Sequence, residues 1–132
     1  MVKFSTAWKG STKGRKQRKY RYNAPLHVKQ KFLHVHLSPE LRKKYGFRNI
    51  QVRKNDKVKV VRGQFAKRDG KVERVDLKRE TVSLTGIESL KKDGTKMLAK
   101  FHPSNLMIIE LNLDDKNRKQ KLDSKKNKPV NK

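Results

Sequence analysis

The stretch KNDKVKVVRGQFAKRDGKVERVD, residues 54–76, sets a basic loop with two glycines between runs of alternating valines. Two readings compete for that loop: a cradle for a nucleotide's phosphates, or a connection between two strands of a small barrel. A P-loop needs four residues between its glycines and Ser or Thr after its lysine, so that backbone amides wrap the phosphates and a hydroxyl reaches magnesium. Here six residues separate Gly63 from Gly70, and Val72 follows Lys71. The nucleotide reading fails on spacing. Val58 and Val60 alternate with Lys57 and Lys59, the period of a half-buried strand, and Val72, Val75 and Leu77 supply a second. Val72 and Val75 differ in parity, which predicts a bulge or a strong twist between them. The two glycines then bound a strand connection, where positive φ or a close backbone approach is needed.

Working outward towards the C-terminus, Val82 and Leu84 continue the strand pattern. Asp93-Gly94 is a tight hairpin signal joining residues 87–92 to 95–101. Leu106 and Ile108, interleaved with Met107, Ile109 and Leu111, read as a last strand with both faces partly covered. Five short strands in about sixty residues, with turn residues at each break, predict a mainly β fold, a small SH3-like antiparallel barrel. After Leu113 apolar residues nearly vanish, so 114–132 reads as a frayed helix or a disordered basic tail.

Towards the N-terminus the signals are shorter. Ser38 can cap a helix with Pro39 in its first turn, Glu40 at the positive end of its dipole and Gly46 closing it. Pro25 suits the first turn of another, with Leu26, Lys29, Gln30 and Leu33 at helical spacing. Between them Leu33, Val35 and Leu37 alternate with His34 and His36. A His-x-His pair could ligate zinc, but no third ligand is evident nearby, and polar-face or RNA-contacting histidines are the preferred reading. Residues 8–21, WKGSTKGRKQRKYR, have closely spaced cations and no apolar period, which predicts disorder in the free chain.

The chain has 132 residues, 37 of them Lys or Arg against 12 Asp or Glu, for a formal net charge of +25 and a pI near 10.6. Such self-repulsion opposes folding, so the charge points to a polyanionic partner, nucleic acid first. A membrane surface is the rival, but no sustained basic amphipathic helix backed by Trp, Phe and Leu is present. No apolar run reaches the length of a membrane span or a signal-peptide core, which predicts an intracellular protein without membrane insertion. Cysteine is absent, and with it disulfides, thiol catalysis and Cys-based zinc sites. With 33% hydrophobic residues the core is small. Residues 1–54 hold 16 basic residues and one acid, 55–113 hold 13 and 8, and 114–132 hold 8 and 3. That division predicts a basic N-terminal extension with short helices, a folded body over 55–113 and a basic tail.

Taken with 54–76, the blocks KQRKYRYNAPLHV (16–28), LSPELRKKYGFRNIQVRK (37–54) and FHPSNLMI (101–108) resemble one ribosomal family. It is the universal KOW-containing protein of the large subunit, numbered twenty-four in bacteria and twenty-six in eukaryotes. The longer N-terminal arm and the FHPSN element are similar to its archaeal and eukaryotic branch. The resemblance spans roughly residues 15–120. It implies an SH3-like barrel bound to large-subunit rRNA near the outer opening of the peptide exit tunnel. It also implies an early structural role in subunit assembly, a cytoplasmic location, neighbouring ribosomal proteins, and contacts with nascent chains or secretion factors at the exit. Val58, Gly63, Gly70, Lys71 and Val72 match the motif's strand, loop and second strand. The sequence departs from common relatives at Ala66-Lys67-Arg68-Asp69, where many have a glycine.

The candidate RNA-binding residues are Trp8, Arg15, Lys16, Arg18, Lys19, Tyr20 and Arg21 in the arm, where aromatics (Tyr22 among them) can stack on bases while arginines fork onto phosphates. To these are added Lys43 and Lys44; Arg53 and Lys54; Arg62, Gly63, Lys67, Arg68, Gly70 and Lys71 around the loop; His102; and Lys116 and Arg118. Three other classes compete with this reading. A transcription-associated KOW protein on nascent RNA lacks room for its usual α/β module in 54 basic residues. A DNA-compacting protein fits the charge alone. An enzyme lacks any nucleophile–base pairing, metal cluster or clustered carboxylates, Asp114-Asp115 lying amid cations; no cofactor and no small-molecule substrate are expected.

Overall fold

The structure, a computed structural model, describes residues 4–126. Seven strands among them form one sheet: β1 (His34–Leu37), β2 (Asn49–Gln51), β3 (Lys57–Val60), β4 (Asp69–Asp76), β5 (Thr81–Leu90), β6 (Lys96–Phe101) and β7 (Leu106–Glu110). Their order is β2-β1-β7-β3-β4-β5-β6, so the sheet is open and β2 and β6 are its edges. The mainly β expectation holds, and β3 to β7 account for the strands expected beyond residue 55. β1 and β2 come from the segment read as an extension. β1 runs parallel to β7, with His36 opposite Met107 and Leu37 opposite Ile108.

The core follows from that pairing. Leu33, Val35, Leu37 and Val52 from the basic half pack with Val58, Val60, Val72, Val82, Leu84, Leu106 and Ile108. The apolar alternation through His34 and His36 is therefore a strand's inward face. The ladder slips between Val72 and Arg74, where the parity change of the valines predicts it. β5 is one strand, slipping against β6 between Ser83 and Glu88, with Gly86 at φ 79° in that interval.

Among the described residues four α-helices flank the sheet: α1 (Gly14–Asn23), α2 (Leu26–Lys29), α3 (Pro39–Tyr45) and α4 (Lys116–Lys126). α3 forms as its sequence dictates: Ser38 Oγ accepts the Leu41 N–H at 3.4 Å, Pro39 opens the helix and Gly46 closes it at φ 72°. Pro25 is extended and stands just before α2, not in its first turn. α1 replaces the disorder expected for the arm: Lys, Arg and Gln favour helix, and Tyr20 gives it a packed anchor, its ring 6.5 Å from Phe32 and 5.0 Å from Phe4. α4 resolves the alternative left open after residue 113. Leu122, 1% exposed, and Arg118 hold it to the body, beside α3. Residues 127–132 of the expected tail lie outside the described residues.

Candidate nucleic-acid interface

The loop between β3 and β4 is held from three sides. Val60 N–H donates to Arg68 O at 2.8 Å and Lys67 N–H donates back to Val60 O at 2.9 Å, closing its base. Inside it, Ala66 N–H reaches Gly63 O at 3.0 Å. Phe65 is half-buried, edge-on to Phe101 at 5.9 Å, and the Arg68 guanidinium lies 5.6 Å from the Phe65 centroid. The third support is the FHPSN element. Val61 N–H donates to Asn105 O at 2.8 Å, and His102 Nδ1 lies 2.8 Å from Ser104 Oγ at the start of a 3-10 turn over Pro103–Asn105. Arg62, Lys67, Arg68 and His102 thus share one end of the sheet, all exposed on a braced scaffold.

The two glycines do different work. Gly63 sits at φ 97°, a conformation that side chains penalise. Gly70 is ordinary strand, but a Cβ there would lie 2.9 Å from Thr85 O, so no side chain fits between β4 and β5. Lys67 takes φ 71° without being glycine, within the stretch 66–69 where the resemblance leads one to expect a glycine. Asp69, the acid nearest the loop, lies 4.0 Å from Lys57 Nζ, which also reaches Glu110 at 3.2 Å.

A second basic surface lies at the other end of β4. α1 presents Arg15, Arg18 and Lys19 to solvent, with Lys16 half-buried. Arg21 forms an ion pair with Glu80 in the β4–β5 turn and lies 5.2 Å over the Phe32 ring, while Lys29 Nζ donates to Lys78 O at 3.3 Å. These contacts tie the arm to the body.

Residues 11–125 match the family described as the eukaryotic ribosomal proteins L26 and their archaeal L24-type counterparts. The chain belongs to this family. It is 51% identical over 110 residues to the large ribosomal subunit protein uL24 of Methanothrix thermoacetophila, covering 83% of this chain and 95% of that one. The protein of the same name from Methanosphaera stadtmanae is 47% identical over 115 residues, 87% of this chain and 98% of its own. That of Methanosarcina barkeri is 49% identical over 108 residues, 82% and 93%. The L26-family match takes in α1, the whole sheet and α4 up to residue 125.

Within this L26-family chain the sequence-derived candidates separate into groups. Arg62, Gly63, Lys67, Arg68, Gly70, Lys71 and His102 belong to the loop end of the sheet. Lys43 and Lys44 are exposed on α3, with Lys44 Nζ 5.5 Å over the Tyr45 ring. Lys54 and Lys116 are exposed. Arg53 pairs with Asp115, whose carboxyl is held below its ordinary value mainly by the hydrogen bond from that guanidinium. Trp8 ends a short 3-10 turn, Thr6–Trp8.

Two candidates change role. Arg118 is 3% exposed, and its guanidinium grips the fully buried Asp56 at 2.6 and 2.8 Å while donating to Asn112 O at 2.8 Å and Gln51 O at 3.2 Å. It is a structural cation, withdrawn from the interface because no polyanion can reach it. Tyr20 is packed between Phe4 and Phe32, whereas Tyr22 is 84% exposed and is the tyrosine of α1 left open to solvent. Sequence reasoning missed Asp56 and Glu80. Asp56 carried a signal, as the one carboxylate between Glu40 and Asp69 and just before β3, whereas Glu80 has nothing in the sequence to set it apart from Glu73 and Asp76.

Among the described residues no group of three or more His, Cys, Asp or Glu could hold a metal ion. His34 Nδ1 lies 2.6 Å from Lys31 O, and His36 Nδ1 is buried within the sheet. No described helix is long and apolar enough to cross a membrane.

Proposed function

We propose that this chain is a structural, non-catalytic constituent of the large ribosomal subunit, held on large-subunit rRNA by the loop end of its sheet and by its basic arm. It works in the cytoplasm as part of that subunit, next to other ribosomal proteins. One observation carries the reading: Arg62, Lys67 and Arg68 are gathered on a loop braced by Phe65, Phe101 and Asn105, with no acid within residues 61–68. A rigid cationic loop loses little conformational entropy on meeting phosphates, so more of each charge-assisted contact remains as affinity. Arg15, Arg18 and Lys19 extend the contact along the backbone, and Tyr22 offers a ring to an unpaired base. Family membership supports the ribosomal setting, because the relatives carry the large-subunit name. The site is further assigned to rRNA near the outer opening of the peptide exit tunnel, with a part in early subunit assembly and contacts to nascent chains or secretion factors at the exit.

The test is sedimentation of ribosomes from cells carrying a tagged copy. The wild-type chain is expected with the large subunit at moderate salt, and the variant with Arg62, Lys67 and Arg68 replaced by Gln is expected to leave it at lower salt. Wild-type protein remaining at the top of the gradient would overturn the assignment, as would indistinguishable retention of the variant.

A further inference from the structure

We infer that the outer face of β4, β5 and β6 is a second rRNA backbone site, built by Arg74, Lys78, Lys96 and Lys100 and separate from the loop and the arm. The inference rests on the rRNA-binding reading above and adds a surface to it. Arg74 lies opposite Ser83 and Ser83 opposite Lys100. Cross-strand partners point to the same side, so these three form a row running across the strands, on the face opposite Val82 and Leu84. Lys96 and Lys100 share β6 and point the same way, with half-buried Leu98 between them. Lys78 comes from the β4–β5 turn, and the whole encloses a groove of about 840 Å³.

The groove's charge is unbalanced. Among the described residues Asp76 is the one carboxylate in its lining, and that group is engaged: it accepts the Arg79 N–H at 3.0 Å, a bond that chiefly holds its pKa below the ordinary value. Lys96 has Glu88 at 3.9 Å, and its side chain is 72% exposed. An anion is the fitting occupant, and the direction of the row identifies its kind. A peptide adding to the free edge would run along β6 and take its hydrogen bonds there. The cations instead cross from β4 to β6, so the occupant crosses the sheet face, as a nucleic-acid strand would with phosphates on Arg74 and Lys100 and sugar on Leu98. The groove also begins at the turn where Lys29 and Arg21 of the arm are fastened, so one strand of RNA can follow both.

The test is lysine footprinting of the full-length wild-type chain by amine acetylation and mass spectrometry, free, on purified large-subunit rRNA, and in intact large subunits. Lys78, Lys96 and Lys100 are expected to lose reactivity on rRNA alone, together with Lys67 of the loop and Lys71 at the loop end of β4. In parallel, the variant R74Q/K78Q/K96Q/K100Q is expected to flatten the salt dependence of rRNA binding by roughly 2–3 log units per log unit of salt. Protection of the loop lysines with full reactivity in the groove overturns this site and leaves the rRNA reading intact. Groove protection seen only in intact subunits assigns the groove to a neighbouring protein and also overturns it. If no lysine is protected by rRNA, the rRNA reading itself fails, and this site with it.

Discussion

At Asp56 one fully buried carboxylate collects donors from three separate parts of the chain: Arg53 N–H at 2.8 Å, Asn112 N–H at 2.9 Å and both terminal nitrogens of Arg118. Its ion pair with Arg118 differs in kind from the exposed pairs, because losing one partner strands a charge away from water. Arg118→Ala is therefore expected to cost about 3–5 kcal/mol of unfolding free energy, read as a lower urea midpoint. Lys119→Ala on the exposed side of the same helix should stay within ~0.5 kcal/mol, and equal losses for the two would refute the pairing's role. Gly70 is a second sensitive position, since Gly70→Ala drives a methyl against Thr85 O and should destabilise by about 1–3 kcal/mol. Lys67 runs the other way. At φ 71° it bears a left-handed backbone that glycine adopts freely, so Lys67→Gly should leave stability within ~1 kcal/mol of wild type. Its rRNA salt slope should nevertheless flatten by roughly 0.7–0.9, the effect of one lost phosphate contact. A variant that unfolds, or one whose slope is unchanged, would refute the corresponding half of this expectation.

The helices divide by what anchors them. α1 has no buried residue and is fastened by the Tyr20 ring and the Arg21–Glu80 pair, whereas α4 buries Leu122 and Arg118. Trypsin is therefore expected to cut the free protein first at Arg15, Arg18 or Lys19, and at Lys119 and Lys121 only later. First cleavage inside α4 would mean that its docking is weak. The same contrast explains what could be read in advance. α3 was legible because its cap, its proline and its closing glycine are all local. The strands from β3 onward were legible because each alternates and each break carries turn residues. α1 was not legible, and α4 only as one of two alternatives, because a polar helix in water depends on a few tertiary anchors and shows no apolar period. β1 and β2 were hidden for a different reason: β1 lies beside β7 in parallel, some seventy residues away, and no short-range signal encodes such a pairing. In the candidate interface, the clustering of cations on the loop could be read from charge and spacing, but burial of Arg118 and packing of Tyr20 depend on partners distant in sequence.

At the scale of the whole molecule, five of the described carboxylates are engaged in ion pairs within the fold. Asp56 serves Arg118, Glu80 serves Arg21, Asp115 serves Arg53, and Glu110 and Asp69 flank Lys57. The net charge of +25 therefore resides mostly on exposed cations of the arm, the loop and the β4–β6 face, with little local neutralisation. Repulsion among them disfavours the free protein, and a polyanion that sheds its condensed counterions into solution on binding them would remove that penalty. If the loop and arm together meet about six to eight phosphates, binding to large-subunit rRNA should follow a log–log salt slope of roughly −4 to −7. Replacing Arg15, Arg18 and Lys19 together by Ser should flatten the slope by roughly 2–3 without moving the urea midpoint, since none of the three supports the core. Arg21 is left in place because its loss would also free Glu80 and confuse folding with binding. A wild-type slope near −1 would mean that the cations are mostly idle on rRNA. An arm variant with an unchanged slope would confine the contact to the sheet.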